Sequence, residues 1–126
     1  MKSRVLPVTV LALRVAYGAA LIAAPDRLAR RWLGPASAEG PTQVPLRALG
    51  AREVLLHAGG LAAAARGNAL APWFAASIAG DLTDIAATVA ARRQLPGRAP
   101  ALTALVAGGS ALLSAVGAAA ARPSLR

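Results

Sequence analysis

Cysteine is absent from the 126 residues, which excludes disulfides, thiolate metal sites, C-x-x-C redox chemistry and cysteine nucleophiles, and leaves the compartment unconstrained by thiols. The single histidine is too few for the paired-histidine spacing of a zinc protease. Aromatic residues are scarce, two Trp, one Tyr and one Phe. With arginines spread over both ends of the chain, they offer no stacking platform, so no nucleic-acid partner is expected. Gly59-Gly60 and Gly108-Gly109-Ser110 match neither a phosphate-cradling loop, a dinucleotide fingerprint nor a nucleophile elbow, and no cofactor is expected. Acids are few as well, five against 14 lysines and arginines.

What remains is apolar. Hydrophobic residues make up 56% of the chain, and they fall in four blocks, about residues 5–24, 44–65, 70–91 and 101–121. Each block has the roughly 20 residues that a hydrocarbon core of about 30 Å requires. The expected fold is all-α: a four-transmembrane-helix bundle forming a single integral membrane domain, multi-pass in the cell membrane, with both termini on one side. Pro25, the stretch 34–43, Gly67 with Asn68, and the stretch 94–100 separate the blocks, as helix breakers should. Pro45, Pro72 and Pro100 are expected at or just before the first turn of their helices, where a missing N–H is tolerated. Trp32 and Trp73 lie at block edges, suited to the headgroup zone. Two other readings compete: a soluble helical bundle, because the blocks are alanine-rich, and a signal peptide over the first block, which Arg14 and Pro25 disfavour.

Between the first two blocks, Asp26 to Leu33 reads as a short interfacial helix. At 100° per residue Leu28, Ala29, Trp32 and Leu33 share one arc, opposite Arg27, Arg30 and Arg31, a membrane-surface pattern that implies membrane lipids as a partner.

Charges inside the apolar blocks carry the functional signal. Arg14, Arg47 and Arg52 match Glu53, Asp81 and Asp84 in number, and charges at bilayer depth are rare, expensive and normally face a partner or a cavity. Setting these six aside leaves eleven basic residues and two acids, the whole formal charge of +9. Lys2, Arg4, Arg66, Arg122 and Arg126 fall at the terminal end, against Arg27, Arg30, Arg31, Arg92, Arg93 and Arg98 at the other. That near balance fixes no orientation.

Depth ties the buried groups together. Counted from the block ends on the side reached at Ala24, Arg14 lies ten residues in, Glu53 nine, Asp81 ten, Asp84 seven and Ser110 nine, one layer about 10–15 Å deep at about 1.5 Å per residue. Ser77, Asp81, Asp84 and Thr88 form one stripe on the third block, and Arg47, Gly50, Glu53 and His57 share an arc on the second. Arg52 is turned about 100° away from Glu53. Arg14, Tyr17, Gly18 and Leu21 make a face of the first block, while Thr103, Ala107, Ser110, Ser114 and Gly117 make a narrow small-residue stripe on the fourth.

Three readings of this layer stay open. It is an ion-pair network that only sets helix register and packing, or a proton-transfer site, since an imidazole, a phenol and three carboxylates exceed what register needs, or a metal site. Glu53 with His57 and Asp81 with Asp84 have suitable spacing for one ion, but the arginines already satisfy the carboxylates, so no metal is expected.

The segments 46–53 (Leu-Arg-Ala-Leu-Gly-Ala-Arg-Glu) and 80–84 (Gly-Asp-Leu-Thr-Asp), with Arg14 and Gly18 upstream and Pro25 to Gly34 between, resemble an uncharacterised family of small four-helix integral membrane proteins found in actinobacteria and fungi. The likeness covers about residues 8–95. It implies a four-span bundle with an Arg/Glu/Asp centre and brings no established activity; similar small membrane proteins include some that act on lipophilic intermediates. The resulting expectation is acid/base chemistry on a lipophilic small molecule, such as cyclisation, isomerisation or hydrolysis. Asp81 or Asp84 would serve as the acid or base, Glu53 and His57 as shuttles, Arg14 and Arg52 as stabilisers of negative charge, with Tyr17 and Ser110 lining the substrate site. The alternative is a non-catalytic scaffold or accessory subunit whose ion pairs only hold the bundle. A permeation path would need a homo-oligomer, because four spans without an inverted repeat make a poor transporter.

Overall fold

A computed structural model describes residues 4–122; Lys2 and Arg126 of the terminal basic group lie outside them. The described residues form five α-helices and no strand: α1 Val5–Ala23, α2 Pro25–Leu33, α3 Gly40–Ala65, α4 Ala71–Ala90 and α5 Ala99–Ala121. All-α is therefore observed. Among the described residues two helices, α1 and α5, are long and apolar enough to cross a membrane.

Ala24 leaves the helical region (φ −141°, ψ 61°), and Pro25 then opens α2 in its first turn, where its fixed φ suits a helix start. Gly34 ends α2 with φ +64°, a left-handed conformation that favours glycine. A 3₁₀ segment, Gly34–Ala38, follows. The third element begins earlier than its hydropathy suggests. Gly40 and Pro41 open α3, so Pro45 lies inside it rather than at its start. Having no N–H, Pro45 cannot bond the Pro41 carbonyl, a loss tolerated because both prolines sit on the exposed end.

The four long helices alternate in direction, α1 packing most closely on α3 and α4 on α5. Glycines set both contacts. A Cβ on Gly18 of α1 or Gly50 of α3 would lie 2.6 Å from the other's carbonyl oxygen, so the two backbones touch there and only glycine fits. In the second pair, Phe74 sits over Gly117, where a Cβ would come 2.8 Å from the ring. Two small apolar cores close the ends of the bundle. Val10, Leu11, Ala63, Leu70 and Phe74 fill the terminal end, and Leu21, Ala29 and Leu46 the other, with Trp32, Leu33 and Leu49 against them. Trp73 stands in the first turn of α4 and is partly buried, its ring packed against that first core beside Gly59.

Short polar clasps fix the ends. Arg4 donates from Nη1 to the Ala64 carbonyl (3.0 Å) and from Nη2 to that of Gly67 (3.2 Å), tying the start of α1 to the last turn of α3. Arg98 Nε donates to the Arg31 carbonyl at 2.7 Å, joining the α4–α5 connection to α2. Ser37, fully buried, donates to Asp26, which also accepts from Arg30 at 2.6 Å. These two donors, the Ser37 hydroxyl first, hold the Asp26 carboxyl below its ordinary range.

Candidate functional site: a buried charge layer beneath an apolar cavity

Between the two end cores all four long helices contribute to one polar layer. The stripes that place it are the ones that helical spacing dictates: Gly50, Glu53, His57 and Gly60 are the buried positions of mid-α3, and Ser77, Asp81 and Thr88 those of α4. Arg14 is at its centre. Nε and Nη2 donate to Glu53 Oε2 at 3.0 and 2.8 Å, Nη1 and Nη2 to Asp81 Oδ2 and Oδ1 at 2.6 and 2.7 Å, and Nη1 also to Ser114 Oγ at 3.2 Å. Those five bonds use up the five N–H donors of a guanidinium. Arg14, Glu53 and Asp81 are each more than nine-tenths buried, and charges taken out of water survive only with this degree of pairing.

A second pair lies nearer the surface. Arg52 Nη2 donates to Asp84 Oδ2 at 2.9 Å, with longer contacts of 3.4 Å from Nη1 to Asp84 Oδ1 and from Nη2 to Glu53 Oε1. Its side chains are 39% and 31% exposed. Glu53 thus lies between the two arginines.

His57 is fully buried. Its Nδ1 lies 2.7 Å from the Glu53 carbonyl oxygen and its Nε2 2.9 Å from Ser77 Oγ, which is 3.1 Å from Ser114 Oγ. A carbonyl only accepts, so Nδ1 carries the ring proton. Donation then runs in one direction, from Arg14 to Ser114 to Ser77 to His57 Nε2, and every member is satisfied. The opposite direction leaves the Ser114 proton without an acceptor in the network.

The structure gathers Arg14, Arg52, Glu53, His57, Asp81 and Asp84 as expected, and differs on three other residues. Arg47 is outside the layer: it is exposed and donates to the Ile22 carbonyl at 2.7 Å, where a cation complements the C-terminal end of α1. The layer therefore holds two guanidiniums against three carboxylates. Ser114, one turn further along α5, makes the contact to the charges; Ser110 is partly buried and lines the cavity described below. Ser77 links Ser114 to His57. Both serines stand on the expected stripes, and only their position within the network was missed. Tyr17 also lines the cavity, 40% exposed.

That cavity has a volume of about 380 Å³. Arg14, Glu53, Asp81 and Asp84 form its charged floor. Leu49 of α3, Ala87 of α4, Ala91 just past its end, and Leu102, Val106 and Ala107 of α5 form apolar walls, while Leu28, Trp32 and Leu33 of α2 cover it on the side away from the termini. The amphipathic pattern of α2 is thus used inward: Ala29 is buried, Trp32 and Leu33 are partly buried, and Arg27, Arg30 and Arg31 are exposed. Two buried polar atoms in this lining have no partner, Trp32 Nε1 and Thr103 Oγ1. Arg52 Nε is likewise buried and unpartnered.

Comparison with protein-family models, with curated proteins and with solved structures gives no match.

Proposed function

We propose that the chain is a four-span membrane protein of the cell membrane that binds a lipophilic small molecule in the cavity over its buried charge layer and performs acid/base chemistry on it. Hydropathy alone selects α1 and α5 because it averages both faces of a helix. Glu53 of α3 and Asp81 of α4 are buried and Arg52 and Asp84 pair with each other, whereas the exposed large residues of these helices include Leu55 (73%), Leu82 (56%) and Val89 (44%). Thr83, exposed on α4, satisfies its hydroxyl on the Ala79 carbonyl at 2.8 Å, as a lipid-facing threonine must. With 26 and 20 residues, α3 and α4 reach about 39 and 30 Å, enough for a hydrocarbon core. Arginines gather at the two ends, and the exposed Arg27, Arg30 and Arg31 of α2 suit anionic lipid headgroups.

The cavity carries the functional part of the proposal. An ion-pair network that only fixes register needs no apolar space leading to its carboxylates, and a pocket with mostly apolar walls, a few convergent polar groups and unpartnered donors is the usual form of a small-molecule site. Within the layer the roles divide. Arg14, with no donor left, locks α1, α3, α4 and α5 together, which is what the scaffold reading describes. Asp84 is partly exposed, lines the cavity and is held by one close and one long contact, so it is the carboxylate placed to exchange a proton with a bound molecule. Glu53, shared between Arg14 and Arg52, is part of the lock and of the floor, and His57 braces it from behind through Ser77 and Ser114.

The test is organic extraction of the purified protein followed by mass spectrometry, beside Ala107→Phe, whose ring would occupy the cavity. A lipophilic compound retained by the parent and missing from Ala107→Phe is the expected result, with Asp84→Asn retaining it unconverted. Identical extracts from parent and Ala107→Phe would remove the basis for the proposal.

A further inference from the structure

The floor of the cavity is built to accept hydrogen bonds, not to donate them. Arg14, its only cation, has committed all five N–H groups to Glu53, Asp81 and Ser114. Nothing is left on it for an incoming anion. The other guanidinium, Arg52, is outside the lining and spends its terminal nitrogens on Asp84 and Glu53. Glu53 Oε1 and Asp84 Oδ1 are the least satisfied oxygens, each reached only at 3.4 Å. With three carboxylates against two guanidiniums, the layer carries one uncompensated negative charge. In a low-dielectric setting such a floor repels an anion and attracts a cation.

We infer that the molecule taken up by this cavity is a lipophilic amine, its protonated amino group seated on the Asp84–Glu53 edge and its apolar body running between α5 and the underside of α2. This rests on the reading of the cavity as a ligand site and names its substrate class. A protonated amine supplies the donors that the two oxygens lack and the positive charge that neutralises the layer. A fatty acid or phosphate ester supplies neither. Arg14 and Arg52 accordingly hold the carboxylates in place: Arg14 has no free donor to stabilise developing negative charge in a substrate, and Arg52, whose Nε is unpartnered, lies outside the lining.

The experiment compares decylamine, decanol and decanoate at neutral pH, reading the thermal unfolding midpoint of the protein in lipid nanodiscs at matched membrane loading, for the parent, Asp84→Asn and Ala107→Phe. Decylamine is expected to raise the midpoint at roughly tenfold lower concentration than decanol, the gain of a charge-assisted hydrogen bond over a neutral one. Decanoate is expected to be the weakest. Asp84→Asn should bring decylamine down to decanol, and Ala107→Phe should abolish all three shifts. Decanol or decanoate equal to decylamine in the parent, with shifts still lost in Ala107→Phe, overturns the amine assignment and leaves the cavity reading standing. Shifts that Ala107→Phe leaves unchanged, or no shift at all, overturn both. If Asp84→Asn does not fold, the order of the three ligands on the parent still decides.

Discussion

Arg14 and Arg52 occupy one layer and meet different energetics. Around Arg14 every partner is buried, so Asp81→Leu strands a guanidinium that has lost two bonds, at a cost of about 3–5 kcal/mol. Arg14→Met strands two carboxylates and should cost at least as much. The two losses overlap, so a double-mutant cycle read by unfolding in micelles should give a coupling of about 0.5–3 kcal/mol; strict additivity would mean that the pair does not interact. Arg52 and Asp84 are each about a third exposed, and an ion pair with access to water contributes about 1 kcal/mol or less. The presence of these charges in apolar blocks was legible in the sequence, because uncompensated charge at that depth is rare. Their pairing was not. Which carboxylate meets which arginine depends on the rotation of α3 against α1, set by the Gly18–Gly50 contact. Depth counted from block ends carries an error of about one turn, enough to put Ser110 at the level where Ser114 makes the contact; Arg47 joined the six charges by lying inside its block, only three residues from the block's start, and not by depth.

At the scale of the element, the crossing of α1 on α3 depends on missing side chains. Gly50→Ala would put a methyl group 2.6 Å from the Gly18 carbonyl oxygen, and separating the helices to fit it should lower the unfolding midpoint markedly. Gly108→Ala is the control. Nothing lies within 4 Å of its Cβ position, and in a helix interior alanine should stabilise by roughly 0.5–1 kcal/mol. An equal response of the two variants would contradict the close crossing. The helix α2 was legible from its periodicity, one residue short at its start. Its clasp was not, since Ser37 lies eleven residues from Asp26 and joins it only through the turn that Gly34 makes. Because folding holds the Asp26 carboxyl below its unfolded value, the clasp contributes in full above the ordinary carboxylate range, and its contribution is lost as pH falls through the lowered folded value. Hydrogen-exchange protection across residues 27–37, corrected for the pH dependence of intrinsic exchange, should therefore fall in acid for the parent. In Asp26→Asn it should be lower at neutral pH and less dependent on pH.

The whole molecule presents apolar residues outward around its girth, with Leu13, Leu55, Leu82, Leu105 and Leu112 all more than half exposed. In water this surface would drive aggregation; in a bilayer it is the expected exterior. A chain without cysteine makes the arrangement easy to map. Leu55→Cys and Leu112→Cys in proteoliposomes should resist a water-soluble maleimide, while Arg66→Cys and Arg98→Cys should react from opposite sides of the membrane. Labelling of Leu55→Cys as fast as Arg66→Cys would rule out α3 as a span. The four-helix count and the end clusters of arginine were legible from block length and breakers. The cavity was not, because it arises where two close helix pairs meet loosely under α2, and no single segment encodes that space.

The central claim is that the buried layer divides into a lock, Arg14 with Glu53 and Asp81, and a working edge at Asp84. The folded, monodisperse yield of Asp81→Asn beside Asp84→Asn tests it most directly, since each swap removes charge and keeps shape. The account predicts a collapse for Asp81→Asn and a yield equal to the parent for Asp84→Asn. Equal collapse of both would make every carboxylate structural, and equal survival of both would leave the layer without a lock; either result contradicts the division.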